Sequence, residues 1–445
     1  MEDTVRKLAF LSLLLLPNLS FASFPEMFGA SASTSSFGSQ ASSDVEEPAN
    51  NYYAPALLGF SRNVNLGVST YLVNTYFEEI KNVTVENTWT RSSLTWPNGK
   101  HDVDVNDGVL WMNAIHASLP ILKPTGPKIG FSLFAPGKYI MEVNSGDPFN
   151  PEYVMYRSRY KRAQAFFNIS YAFTDNLAVS IGAYNGFQVS MDLYTYARVG
   201  ADKSGYSSWA RSKAQAKPTL AGIASIAYKE RDWDAYFTLV QEMKSKLKGK
   251  AGGASDDPSV PFAIELNSLA FYDPMTLRFG GHLNLAKIVN LQASLEWQKW
   301  DNYRPPIAHL KQDGGVIVSS KILETLDLRN IFVPKLGVNA QVTDSMKLGS
   351  GLIYRQTPLK GNFSGSGNSI DFNTWILTGG GSLEKKFFGQ TFEGSLGMQY
   401  HKLEKKNITK STGREDGSSG DKVGTPGYKG GGHILVGTMG LTMKI

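Results

Sequence analysis

The chain has no cysteine, no strong excess of either charge and no long apolar run beyond its first residues. The missing cysteines exclude thiol chemistry and disulfides. A formal charge of +6 spread over 445 residues argues against a nucleic-acid partner. Because no later apolar run approaches the roughly 20 residues of a membrane helix, the chain could cross a membrane only as a β-barrel.

The chain also lacks the patterns of common catalytic and metal sites. Its six histidines show no metal-ligand spacing and no HExxH, and there is no GxSxG and no phosphate loop. Residues 102–108, DVDVNDG, resemble a calcium loop, but the glycine comes one position late and Asn113 stands where glutamate is needed. We therefore predict no enzyme activity, no cofactor and no bound metal.

The first 22 residues have the pattern of an export signal. Arg6 and Lys7 precede an apolar stretch from Leu8 to Leu16, and Ser20 and Ala22 are small residues where a signal peptidase cuts. We predict cleavage after Ala22 and export of the mature chain.

Residues 23–60 are predicted to be an N-terminal extension followed by a hatch, a compact plug inside a barrel. Gly29 to Ser43 is rich in Ser, Ala and Gly and is predicted to be extended. Ser43 and Glu46 are spaced as a capping box, and a Pro and a Gly frame a second short helix. The predicted hatch residues are Asn50, Asn51, Tyr52, Tyr53 and Pro55. The alternative is an ordinary N-terminal arm.

From Asn63 onward, apolar and polar residues alternate, for example in 64–69, 177–184, 291–298, 335–342 and 433–445. Apolar-out, polar-in strands of about 10 residues are typical of transmembrane barrels, whereas a soluble sandwich has the same alternation in shorter strands. Short turns are predicted at 174–176, 230–231, 287–288, 343–344 and 386–390. Long polar connections are predicted at 79–108, 142–160, 193–217, 248–260, 303–328 and 407–432.

Alternation of short and long connections is typical of bacterial outer-membrane barrels. The segments between them number about fourteen, an even count as such barrels require. The sequence therefore predicts an all-β protein, in which residues 61–445 form a transmembrane antiparallel β-barrel with the hatch in its lumen.

Short motifs in a fixed order run through nearly the whole mature chain. They are Tyr53–Ala56, Asn150–Tyr153, Ile169–Asn176, Leu295–Trp300, Phe332–Leu359 and Ile370–Trp375. In order and spacing they resemble the FadL/TodX family, the outer-membrane channels for long-chain fatty acids and aromatic hydrocarbons. The resemblance implies a fourteen-stranded barrel with an N-terminal hatch, an outer groove for hydrophobic substrates and sideways release through a break in the third strand.

Two positions depart from the family pattern. Ala54 replaces the asparagine of the family's Asn-Pro-Ala, so Asn50 or Asn51 could supply the missing hydrogen bonds. The chain ends in Ile445 where such barrels usually carry an aromatic residue, and this predicts less efficient insertion.

The third predicted strand contains a break that is visible without the resemblance. Lys128 to Phe134 is followed by Ala135, Pro136 and Gly137; proline removes a ladder donor and glycine permits a bend. In a wall that faces lipid, such a break must be protected or must line an opening. We predict a lateral exit there; the alternative is the outer end of the strand turning into a loop.

Basic side chains are the candidates for binding a carboxylate head group. Chosen by parity or by their place near the family-like motif, they are Arg157, Arg159, Lys161, Lys244, Lys335 and Arg355. The alternative is that they are solvated rim charges or contacts to lipopolysaccharide phosphates. Trp297 has outward parity and is predicted to face lipid.

The sequence thus predicts a passive channel for hydrophobic molecules in the outer membrane of a Gram-negative bacterium. Fatty acids are the first expected substrate, since each buried methylene adds ~0.8 kcal/mol to binding, and aromatic hydrocarbons are the second. A monomer in contact with lipopolysaccharide and membrane lipid is expected, with no nucleic-acid partner. The alternatives are a general porin for small hydrophilic solutes and a structural or adhesive surface protein.

Overall fold

The computed structural model describes most of the chain. The described residues are 24–86, 99–103, 108–138, 141–142, 152–153, 155–156, 161–198, 207–255, 262–285, 288–304, 309–312, 326–360, 369–409, 422–423 and 427–445. The predicted signal peptide, residues 1–22, lies outside them.

A closed antiparallel barrel of fourteen strands forms the body of the molecule, as predicted. Each wall strand pairs with its neighbours in sequence, and the last strand pairs with the first from Asn65↔Lys444 to Phe77↔Gly432. The wall strands are β1 Asn65–Phe77, β2 Val109–Pro120, β3 Lys128–Pro136, β4 Gln164–Ala172, β5 Leu177–Arg198, β6 Ser207–Lys229, β7 Trp233–Val240, β8 Met275–Leu285, β9 Val289–Lys299, β10 Ile331–Thr343, β11 Met346–Arg355, β12 Thr374–Phe387, β13 Gln390–Thr409 and β14 Gly427–Lys444.

The alternation read from the sequence separates the two faces of the wall. On the outer face, Leu220, Ile181 and Leu336 are exposed over 75%, 72% and 60% of their surfaces. The facing rows of the lumen hold polar residues such as Gln292 and Thr378, both buried. Because successive side chains of a strand point to opposite sides, the period-two pattern fixed which residues line the lumen.

The hatch fills this lumen and consists of α1 Pro25–Phe28, α2 Ala32–Ser36, α3 Asn50–Tyr53 and a 3₁₀ helix at Pro55–Phe60. The extended segment predicted for Gly29 to Ser43 is wrong, because it contains α2. Ser31 and Thr34 cap that helix reciprocally, a spacing that also satisfies the capping-box rule.

The capping box predicted at Ser43 does not form in the described chain, since the next helix begins only at Asn50. The Glu46 carboxylate instead accepts hydrogen bonds from the Ser61 hydroxyl at 2.6 Å and from the Arg62 backbone N–H at 2.9 Å. Glu46 therefore joins the hatch to the chain that enters β1.

The predicted short turns are confirmed: they separate β4 from β5, β6 from β7, β8 from β9, β10 from β11 and β12 from β13. Two predicted long connections are wrong in extent. Residues 193–217 lie largely within the long hairpin of β5 and β6, and the connection predicted from Lys248 begins only after Ser255. Charged residues alternating with small ones hid these strands, because the parity rule expects apolar residues on one side.

A second hairpin, named the arm from here on, consists of strands Met243–Ser255 and Phe262–Asp273 and is inserted between β7 and β8. Its first strand leaves the wall after β7 and pairs in parallel with the far half of β5, from Leu247↔Val189 to Ser255↔Ala197. At the crossing point, a Cβ on Gly186 would lie 2.0 Å from the Met243 sulfur, so a larger residue there would have to displace the Met243 side chain.

Short strands complete the end of the barrel that carries the long connections. Ile80–Glu86 pairs with Gly99–Val103 and with Lys422–Val423, and Glu152–Tyr153 pairs with Ser369–Ile370. His309–Gln312 extends the sheet of the arm. Within the described residues, no helix has the length and hydropathy that crossing a membrane requires.

Candidate functional site

Asn51 joins the hatch to the third and fourth wall strands. Its side-chain amide donates to the Ser132 hydroxyl at 3.0 Å and to the Phe166 carbonyl at 3.2 Å, and its oxygen accepts from the Asn168 amide at 2.9 Å. Asn50 instead bonds within the hatch, to the Ser42 carbonyl. We expected Asn50 or Asn51 to replace the hydrogen bonds of an asparagine at position 54. Asn51 makes such bonds between the hatch and the wall.

A buried charged triad of the wall holds both halves of the hatch. Glu296 lies 2.5 Å from the Lys335 ammonium and 3.4 Å from the Arg278 guanidinium. Lys335 also donates to the Ser39 carbonyl at 2.9 Å, and Arg278 donates to the Tyr52 carbonyl at 2.7 Å. Since an ion buried without partners costs several kcal/mol, the triad and the hatch stabilise each other.

Two wall histidines bind hatch carbonyl groups. The Nε2 atom of His116 lies 2.8 Å from the Ala30 carbonyl, and that of His282 lies 2.8 Å from the Ala41 carbonyl. The other ring nitrogen of His282 contacts Asp234 at 2.6 Å. These histidines therefore anchor the plug, a role for which the sequence gives no spacing rule.

An aromatic cluster covers the hatch where it meets β3, β4 and β5. The rings contact mostly edge to face, with centroid separations from 5.1 to 5.7 Å. Its members are Phe24, Tyr52, Phe134, Phe166 and Tyr184. Such packing adds to the stabilisation from buried area and makes this part of the lumen apolar.

A second group of buried apolar side chains, called the cap here, lies at the end of the barrel that carries the long connections. Tyr153 stacks on Phe77 with centroids 4.5 Å apart and lies 5.8 Å from Phe372. Met155 and Ile370 are fully buried in the same cluster, which continues through the lumen-facing side chains to the hatch. The lumen thus has apolar residues at the hatch, at the cap and between them.

Arg355 is the predicted anchor that the structure places inside this apolar region. It projects from the end of β11, is only 3% exposed, and one Nη atom lies 3.2 Å from Asp371. Its Nε and second Nη atoms are buried without a hydrogen-bond partner among the described residues. Unmet buried donors are costly, so this site is chemically prepared for an acceptor.

Arg162 is a second buried guanidinium, which the sequence analysis missed. It is fully buried, pairs with Asp273 at the end of the arm and lies 4.7 Å from the Phe271 ring centroid. Its Nε and one Nη atom have no hydrogen-bond partner in the described part of the chain. Parity had pointed to its neighbour Lys161.

The remaining predicted anchors lie elsewhere. Lys161 is buried and pairs with Glu142 at 3.0 Å, and Lys244 is partly exposed and pairs with Glu242 at 3.1 Å. The Lys335 ammonium already binds the Glu296 carboxylate and the Ser39 carbonyl of the hatch. Arg157 and Arg159 lie outside the described residues.

The seam between β3 and β4 is interrupted. The regular ladder runs from Lys128↔Ser170 to Phe134↔Gln164, and pairing resumes at Met141↔Arg162. Between these two pairings the chain of β3 advances seven residues, from 134 to 141, whereas the chain that enters β4 spans only two, from 162 to 164. The register therefore slips by five residues. On its other side, β3 stays paired with β2 through Pro136.

The predicted exit residues Ala135, Pro136 and Gly137 begin this bulge. The Gly137 N–H donates to the Trp111 carbonyl at 2.7 Å, so the bulge is attached to β2 and detached from β4. Bulges of this kind re-aim a strand and end its pairing. At these residues the wall therefore lacks regular backbone pairing between β3 and β4.

At the end of the barrel that carries the short turns, Lys444 lies among carboxylates of hatch and wall. Its ammonium is 2.9 Å from Asp44, 3.3 Å from Glu393 and 3.6 Å from Glu384. Burial would raise the pKa of Asp44, but Lys444 and Lys347 outweigh it and lower that pKa.

Glu47, in the hatch, forms no ion pair with any cation among the described residues. Burial, with the Glu393 charge adding to it, raises the pKa of Glu47 from 4.5 to about 7. When the pKa of a carboxyl group is higher in the folded state than in the unfolded state, the folded state becomes less stable as the pH rises from the unfolded to the folded pKa. We expect the folded barrel to lose on the order of 3 kcal/mol between pH 4.5 and 7 from this group.

Thermal unfolding in detergent at about pH 5.5 and about pH 8 tests this expectation. The melting temperature of the natural chain should fall at the higher pH, and Glu47→Gln should remove that part of the change. An equal fall in the variant would show that other groups cause it.

No set of three or more metal-binding side chains lies together in the described chain. No protein-family profile matches the sequence, and neither does any curated protein.

Two solved structures match almost the whole fold. A Pseudomonas aeruginosa FadL homologue is similar at 14% identity and a TM-score of 0.63, covering 95% of this chain and 98% of that one. The P. putida toluene transporter TodX is similar at 12% identity and a TM-score of 0.52, covering 94% and 99%. The chain therefore has the fold of the FadL homologue and of TodX: a fourteen-stranded barrel plugged by its own N-terminus.

Proposed function

We propose that the protein is an outer-membrane channel for passive uptake of hydrophobic molecules. The observation that carries the proposal is the single cluster of buried apolar side chains that extends from the hatch to the cap. A porin for hydrophilic solutes needs a polar, water-filled lumen, and an adhesive surface protein needs no apolar lumen. The likeness to a FadL homologue and a toluene transporter supports the same class.

The outer face of the barrel suits a membrane. Its exposed side chains include Ile181, Leu220, Leu336 and Met439, at 59% to 75% exposure, and lipid accommodates such residues where water does not. The protein accordingly resides in the outer membrane of a Gram-negative bacterium, with its long connections outward. Contact with lipopolysaccharide and a monomeric state belong to this proposal.

An aliphatic carboxylic acid is the proposed first substrate, and an aromatic hydrocarbon is the second. The alkyl chain would lie among the apolar residues, where each methylene contributes ~0.8 kcal/mol. The carboxylate would accept from the unpartnered nitrogens of Arg355, in the geometry that guanidinium groups favour. A hydrocarbon uses the same lining without the anchor.

Release is proposed to occur sideways, through the β3–β4 seam. The hatch is held by Asn51, by the triad of Arg278, Glu296 and Lys335, and by His116 and His282, so displacing it would break many buried contacts at once. The five-residue slip offers a route beside the plug. No energy source is required, because the substrate passes from one apolar phase to another.

Two measurements test the class of function. Barrel purified in a detergent without alkyl acids should yield bound fatty acid or hydrocarbon by mass spectrometry, and proteoliposomes should take up palmitate faster than protein-free vesicles. Single-channel recording supplies the contrary case. An empty barrel that conducts ions steadily would establish the porin alternative, and an empty, closed one would establish a structural role.

A further inference from the structure

The far halves of β5 and β6 join the arm in one sheet beyond the barrel wall. β6 pairs with β5, β5 pairs in parallel with Met243–Ser255, and that strand pairs with Phe262–Asp273. Residues opposite each other in such ladders share a face, as do residues two apart on one strand. The register therefore assigns every charged residue of this sheet to a side.

One face of the sheet is strongly basic. A row across it contains Lys213, Asp192, Lys250 and Glu265, and the row beside it contains Lys248. Arg211, Lys217 and Lys246 lie on the same face by the two-residue period. Beyond the irregularity between Ser245 and Lys246, six cations with described side chains thus share this face with two acids.

Most of these cations are unpaired as well as exposed. Lys250 lies 3.1 Å from Glu265. The other five cations are exposed and form no ion pair among the described residues. Among the described residues, no carboxylate in contact therefore offsets the field of these five cations. The five are Arg211, Lys213, Lys217, Lys246 and Lys248.

The opposite face of the sheet carries no charge among its described side chains. It presents Val189, Met191 and Leu193 from β5 and Ala214 and Ala216 from β6. By parity this face continues the outer surface of the barrel, where Ile181 and Leu220 are exposed. The basic face instead continues the inner surface, whose parity includes the buried Tyr184 and Ile223.

The alternation of side chains along β5 and β6 therefore places the basic face on the side of the lumen mouth, away from the surrounding lipid. The arm ends at Asp273, which pairs with the buried Arg162. The arm therefore joins the basic face to a second guanidinium, that of Arg162, with unpartnered nitrogens among the described residues. Lipopolysaccharide packed around the barrel would meet the uncharged face, so an anion arriving at the mouth fits the basic face better.

We propose that the basic face is a collecting surface that draws the carboxylate groups of amphiphilic acids to the channel mouth. The inference rests on the proposed function and adds to it a preference for anionic over neutral substrates at the capture step. A field of one sign at the mouth of a cleft raises the local concentration and association rate of opposite charges. Salt weakens it, because exposed charges are screened.

The test compares decanoate with decanol, which share a chain and differ in charge. Wild-type protein in vesicles of neutral phospholipid, free of lipopolysaccharide, is assayed for initial uptake at low and high salt. The test variant is Lys213→Gln/Lys246→Gln/Lys248→Gln. The control variant is Arg231→Gln/Lys385→Gln/Lys386→Gln, which removes three exposed cations at the end with the short turns.

Decanoate uptake at low salt should fall about tenfold in the test variant, lose its salt dependence, and stay unchanged in the control variant. Decanol uptake should be the same in all three proteins. Decanoate uptake that is unchanged, or that falls together with decanol uptake, overturns the collecting surface while leaving the channel intact. A wild-type protein that takes up neither compound overturns the proposed function itself, and the collecting surface with it.

Discussion

Deleting residues 136–140 should lower palmitate uptake by at least about tenfold, because the deletion closes the β3–β4 seam. A wall that faces lipid leaves backbone unpaired only where it lines an opening. Removing five residues brings Met141 into the register that already pairs Phe134 with Gln164, so β3 and β4 would pair without interruption. Substrate would still enter and bind but could not leave sideways. Uptake into vesicles, with bound palmitate measured separately, separates the two steps.

A reversible version protects this result against a folding defect. Ala163 is the residue that would face Ala135 if the ladder continued, so Ala135→Cys/Ala163→Cys can close the seam under oxidation. The natural chain has no cysteine to interfere. The matched control is Ile129→Cys/Ile169→Cys, at a point where the same seam is already paired.

Oxidation should stop uptake in the first cysteine pair only, and a reductant should restore it. Uptake that survives oxidation in both pairs would exclude the seam as the exit. A hatch that must move would then be the remaining route, and a disulfide between α2 and the wall would test it. Ser36 and Gly397 are neighbouring positions at which to try that bond, because a Cβ at Gly397 would contact the Ser36 hydroxyl oxygen.

The fold was predictable because a barrel is encoded locally. Alternation of apolar and polar residues assigns each strand its two faces, and connection lengths assign its two ends. Leu336 and Trp297 point outward as their parity predicts. The hatch was recognisable because its acidic residues, paired asparagines and Pro55 interrupt that alternation.

The site was only partly predictable, because it depends on which strands meet. The slip of β3 against β4 involves pairings that no single segment specifies, although Pro136 and Gly137 marked its place. Arg162 was missed because its importance comes from Asp273, more than a hundred residues away. The predicted anchor Lys335 has its charge matched by Glu296, a partner that sequence spacing does not show.

Arg355→Met should lower palmitate uptake by about 10- to 100-fold, the effect of losing a charge-assisted hydrogen bond of 1.5–3 kcal/mol. Uptake of methyl palmitate, which has the same chain and no charge, should be unchanged. Arg355→Lys should recover only part of the loss, because an ammonium keeps the charge but not the paired donors. Parallel uptake assays with the acid and the ester provide the measurement.

Asp371→Asn gives the matched control, since it removes the carboxylate that now occupies Arg355. Burial raises the pKa of Asp371 although Arg355 opposes the shift, so this carboxylate is held at some cost and a substrate can compete with it. The variant should therefore bind palmitate at least as tightly as the natural chain. Weaker binding in Asp371→Asn, or equal losses of acid and ester uptake in Arg355→Met, would show that the pair only supports the cap and does not bind the substrate.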